Sequence, residues 1–136
     1  MNKKEKLKLF QDIVNHLNKK FCNNKLEIKK IYIFGKKTRK WKYCGGYYSI
    51  SKKWIGISDR QSLFFQILTI AHELSHAWQW QTMKTYYNKK KEKIGNENIG
   101  KKEKRKAWCK TIHDIKGKKI CNKFRKEIEK IAKVSM

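Results

Sequence analysis

Apolar residues recur at alternating spacings of three and four near the start of the chain. Leu7, Phe10, Val14, Leu17 and Phe21 fall on one stripe, which predicts an amphipathic helix over residues 4–21 with that stripe in the core. Residues 26–34, from Leu26 to Phe34, are rich in β-branched and aromatic types and predict a strand. Gly35 to Lys40 reads as a basic turn. Two shorter strands are predicted over 41–50 and 53–58, joined at Ser51-Lys52, with Gly45-Gly46 marking a bulge or a close backbone approach. The three strands predict a small antiparallel sheet.

A helix follows, with Asp59 as its expected N-cap. It carries Leu63, Ile67, Ile70, Ala71, Leu74 and Trp78 on its core side and runs into the region of residues 79–87. Residues 88–106 have little apolar content and two glycines, so they predict a loop leading into a helix marked by Ala107, Trp108, Ile112 and Ile115. Gly117 is expected to end that helix. A last amphipathic helix would turn Ile120, Phe124, Ile128 and Ile131 inward. No internal repeat or linker divides the 136 residues, so the expectation is one α+β domain spanning 1–136.

Charge changes the picture more than length does. The chain holds 36 Lys+Arg against 11 Asp+Glu, a formal net charge of +25, which favours a polyanionic partner. Of the basic residues 32 are Lys and four are Arg, and lysine lacks the forked donors that read bases. Non-specific nucleic-acid binding is therefore the expectation, not sequence reading, with DNA, single-stranded or damaged, taken as the partner. Lys36, Lys37, Arg39, Lys40 and Trp41 are the candidate contacts. The abundance of Lys, Asn and Ile with no Pro also fits an AT-rich coding bias. Cys22, Cys44, Cys109 and Cys121 form no C-x-x-C pair, which argues against a zinc finger and suits free thiols in a reducing compartment. The N-terminus is polar and no apolar run is long enough to span a bilayer, so an intracellular monomer with no membrane partner is expected.

The candidate chemistry lies in the second predicted helix. His72-Glu73-Leu74-Ser75-His76 reads H-E-x-x-H. Residues four apart share a helix face, so the two imidazoles can grip one zinc ion. Glu73 between them is placed to take a proton from a zinc-activated water and hand it to a leaving amine. A zinc hydrolase of this type needs a third protein ligand. His16 and His113 lack a comparable context and read, as lone histidines, as surface or packing residues.

Around this motif the chain resembles the SprT-like metalloprotease domain, the family of Spartan-type DNA–protein crosslink proteases. The resemblance covers roughly the first four fifths of the chain and rests on an ordered set: a leading helix, Cys44-Gly45-Gly46-Tyr47-Tyr48, then Trp54-Ile55-Gly56-Ile57-Ser58, then Ala71 to Trp78 around the motif. It implies Zn2+ as cofactor, His72 and His76 as ligands, Glu73 as catalytic acid/base, a protein substrate and a role near DNA, including repair. No C-terminal zinc ribbon is expected.

In the family the third ligand comes from a His-Gly pair opening the next helix, with an aromatic residue four positions after the His. The local match here is Asn98 to Glu103, with Ile99 at the His position and Glu103 at the aromatic one. Glu103, one turn after Ile99, is the favoured third ligand, followed by Glu97 before the helix. His113 is chemically the best ligand type but lies about 20 Å beyond Ile99 if the helix is continuous. The alternative function is a catalytically weak, basic nucleic-acid-binding module on the same fold, with Trp41, Tyr43, Tyr47, Tyr48 and Trp54 available for stacking.

Overall fold

Residues 1–35 and 45–135 are described by a computed structural model. The elements are α1 (Lys3–Cys22), β1 (Lys30–Phe34), β2 (Gly46–Ser49), β3 (Trp54–Ser58), α2 (Leu63–Thr82), α3 (Lys84–Gly95), α4 (Lys101–Ile112) and α5 (Ile115–Ser135). The class is α+β, as the sequence predicts. No described helix is long and apolar enough to cross a membrane.

α1 starts on a capping box: Glu5 N donates to Asn2 Oδ1 at 2.8 Å, and Asn2 N donates back to Glu5 Oε1. The helix ends where Asn23 takes a left-handed conformation, φ 52°. Asn18 then fixes the return of the chain, pairing through its amide with both the N–H and the C=O of Leu26. Phe10, Val14 and Leu17 of the predicted stripe are buried, and Leu7 and Phe21 pack against the same core.

The sheet differs from the expectation. Its order is β1-β3-β2, with β2 antiparallel to β3 but β1 parallel to it, Lys30 opposite Trp54 and Phe34 opposite Ser58. Ile55 and Ile57 are fully buried, so β3 takes the centre and is paired on both sides. Alternation in a sequence specifies which face a side chain takes; it carries no information on the direction of the neighbouring strand. Gly45-Gly46 does mark a close approach. A Cβ at Gly46 would stand 2.6 Å from Thr69 Cγ2 of α2 and 2.7 Å from the Gly56 carbonyl.

The N-cap of α2 is Ser62, whose hydroxyl accepts from Phe65 N; Asp59 instead extends the strand pairing by donating its N–H to Phe34 O. The α2 residues Ile70, Ala71, Leu74 and Ala77 are fully buried against the sheet, α1 and α5. Most of residues 88–106 are helical, in α3 and α4, where the pattern predicts a loop. Lysine and glutamate are good helix formers with no apolar periodicity to betray them. α3 buries only Tyr87, and α4 buries no residue. Gly117 lies inside α5 and does not end a helix. The break falls at His113-Asp114, where the Asp114 carboxylate caps α5 by accepting from Gly117 N at 2.9 Å. On α5, Ile120, Phe124 and Ile128 face inward as expected, whereas Ile131 is exposed. α5 is fastened to α1 by Glu127, which accepts from His16 Nε2 at 3.0 Å and Lys20 Nζ at 2.7 Å.

Candidate metal centre

His72 and His76 stand one turn apart on α2 with their Nε2 atoms 3.1 Å from each other. A third imidazole joins them. His113, the C-cap of α4, stacks on the His72 ring at 5.3 Å between centroids and meets His76 edge-on at 5.0 Å. One ligand nitrogen from each ring lies within 4.8 Å of the other two. Glu103 and Glu97, the favoured carboxylates, are both exposed at the opposite end of α4, Glu103 in its first turn and Glu97 in the connection before it. The physical reason is the path of the chain. α3 and α4 form a hairpin of two 12-residue helices, each about 18 Å long, so one carries the chain away from α2 and the other returns it. The ~20 Å between Ile99 and His113 are the return leg of that hairpin.

The protonation pattern of the cluster suits a cation. The Gln79 side chain donates from Nε2 to the Ile112 carbonyl at 2.7 Å and to Tyr87 Oη at 2.9 Å, which leaves its Oε1 on His76 Nδ1 at 2.7 Å. An amide oxygen only accepts, so His76 carries its proton on Nδ1. His113 Nδ1 likewise donates to the Cys109 carbonyl at 2.8 Å. With Nδ1 so engaged, Nε2 is in both rings the nitrogen left for a metal. Burial, and then the neighbouring His76, His113 and Arg125 charges, push the His72 imidazole down to about 4. Burial lowers His76 as well, against the opposing bond from Gln79. Three imidazoles with convergent nitrogens fit a zinc ion that keeps a fourth position open.

Glu73 is buried, and burial pushes its carboxyl up to about 8. Its Oε1 is 3.8 Å from His72 Nε2. It lines a cleft of about 420 Å³ with Gly46, Phe65, Leu68 and Thr69, while His76 and His113 line an adjoining cleft of about 320 Å³ between α2 and α5. His72 and Arg125 border both.

Sequence reasoning misses the supports of this centre. Gln79 is fully buried, and Tyr87 Oη donates a hydrogen bond to Asp114 Oδ1 at 2.8 Å. The chain His76–Gln79–Tyr87–Asp114 thus joins α2, α3 and the start of α5 around His113. One signal was available: a glutamine three residues after His76, in a helix whose other positions nearby are mostly apolar. His16 has the packing role expected of it, on Glu127. Lys36, Lys37, Arg39, Lys40 and Trp41, the candidate nucleic-acid contacts, lie outside the described residues, as does Cys44; Cys22, Cys109 and Cys121 are free thiols. Comparison of the chain with protein families, curated proteins and solved structures finds no match.

Proposed function

We propose that the chain is a zinc-dependent metallopeptidase of SprT-like type, acting inside the cell on proteins at or near DNA. The observation that carries this reading is the arrival of His113 at the H-E-x-x-H pair, which supplies the third ligand type such hydrolases need. His72, His76 and His113 would hold the ion, with Gln79 and the Cys109 carbonyl orienting two of the rings. When bound, zinc supplies Lewis acidity that polarises a carbonyl and lowers the pKa of a water to about 7. Glu73 is the proton carrier. Its carboxyl, raised by burial, returns toward the carboxylate range beside a cation. From there it takes a proton onto a carboxylate oxygen and delivers it to the leaving amine. Gly46 of β2 borders the Glu73 cleft, where a substrate would meet the sheet.

The test is elemental analysis joined to a cleavage assay. Purified protein should carry about one zinc per chain. Glu73→Gln should keep that zinc and lose cleavage of a DNA-bound protein. Equal cleavage by both forms would end the peptidase reading.

A second reading, a basic nucleic-acid-binding module with weak or no catalysis, is favoured by a separate observation. Between Lys84 and Ile112 there are eleven basic and three acidic residues. Lys91 lies over both Trp80 and Trp108, whose rings are 5.8 Å apart. An aromatic pair among cations suits stacked bases and phosphates. Titration with single-stranded DNA at rising salt tests it, and no binding even at low salt would reject it.

A further inference from the structure

We propose that the cleft between α2 and α5 is a carboxylate-binding subsite, in which Arg125 and Lys118 select substrates bearing a carboxylate beside the bond to be cut. The inference rests on the peptidase reading for its position in a reaction, but its chemistry stands on the cleft alone. Lys118, Asn122 and Arg125 follow one another at spacings of four and three along α5, which puts them on one face of that helix. All three line the cleft of about 320 Å³ whose opposite wall holds His72 and His76, with His113 at its end. The lining therefore has two cations and an amide on one side and three imidazoles on the other.

No carboxylate lines this cleft. Neither Lys118 nor Arg125 is in any ion pair among the described residues, although Glu27, Glu127 and Asp12 elsewhere each hold a lysine. Glu73 lines the adjoining cleft, which Arg125 also borders, and burial displaces its carboxyl from the usual range. Asp114 is not among the cleft's lining residues, and its Oδ1 is already used by Tyr87 and Gly117. Two exposed cations thus line one cleft beside the candidate metal centre, and no carboxylate shares that lining. A guanidinium is a planar fork matched to a carboxylate, and the Asn122 amide adds a further donor. The carboxylate can come from an Asp or Glu side chain of the substrate or from its C-terminus. The first makes the enzyme an endopeptidase cutting beside acidic residues, the second a carboxypeptidase.

Three peptides alike except in charge separate these sources. One has an internal Glu and an amidated end, one an internal Gln and a free C-terminus, and one an internal Gln and an amidated end. Binding to the Glu73→Gln protein, with and without zinc, is read by fluorescence anisotropy, so turnover plays no part. Salt is held at about 0.15 M, where the screening length of about 8 Å removes most of the diffuse attraction of a +25 chain. At least one charged peptide should bind about tenfold tighter than the neutral one. Which one does so names the source. The advantage should vanish in an added Arg125→Gln, shrink in Lys118→Gln and Arg125→Lys, and persist in Lys89→Gln on α3. Equal affinities, absence of binding by all three, or an advantage that survives Arg125→Gln would each overturn the proposal. The peptidase reading fails on different grounds, by zinc content and by the insensitivity of cleavage to Glu73.

Discussion

α4 and α5 are neighbours in the chain and both are rich in lysine, yet they are held in opposite ways. α5 buries Ile120, Cys121, Phe124, Glu127 and Ile128, packs on α2 and is clamped to α1. α4 buries nothing and touches its partner helix α3 chiefly through its surface. The lightly held helix nevertheless delivers His113. Burial anchors one element, and a short polar chain through Gln79, Tyr87 and Asp114 positions the other. Local stability should therefore be lower on the α4 side of the candidate metal centre than on the α2 side.

The widest separation of the two helices comes from truncating one aromatic on each. Phe124→Ala on α5 removes a fully buried ring and should cost about 3–5 kcal/mol of unfolding free energy by urea titration. Trp108→Ala on α4 should cost about 1 kcal/mol, the worth of one aromatic pair. Similar losses would mean that α4 is anchored as deeply as α5. Next comes His113→Ala. Zinc affinity should fall by more than the ~10–100-fold that loss of an outer-shell partner brings, while metal-free stability changes by about 1 kcal/mol or less. Glu103→Ala and Glu97→Ala should leave affinity unchanged, and a loss in either would restore the carboxylates as ligands. Gln79→Ala should weaken zinc by about 10–100-fold, since His76 loses its fixed tautomer. It should also raise amide exchange in α4 but not in α5. Uniform exchange would show that the polar chain is not what ties the hairpin down.

The smallest effect concerns the clamp on α5. Hydrogen bonds from Lys20 and His16 hold the Glu127 carboxyl below its ordinary value of 4.5. A group depressed in the folded state stabilises above its unfolded pKa and loses that contribution as pH falls through the folded value. Stability should therefore decline on acidification from about pH 4.5 downward, and Glu127→Gln should flatten that limb of the urea midpoint. An unchanged limb would assign the acid sensitivity to other carboxylates.

The sheet and the helix stripes were legible in the sequence because burial leaves a period. Phe10, Val14 and Leu17, like Ile120, Phe124 and Ile128, are spaced as core residues must be. His72, Glu73 and His76 were legible because a metal pair on one helix has a fixed spacing. The place of His113 beside them was not, since it depends on where a hairpin of mostly exposed helices turns, and little buried there writes a pattern. Strand direction escaped for the related reason that β1 has the same alternation whichever way β3 runs beside it.

The equal lengths of α3 and α4, 12 residues each, carry an evolutionary consequence. A turn inserted in one helix alone would shift His113 by about 5.4 Å and pull it from the cluster. The same turn inserted in both cancels. The hairpin can therefore grow or shrink among descendants only in matched pairs of turns, while its tip at residues 96–100 is free to accept inserted sequence without moving the centre at its base.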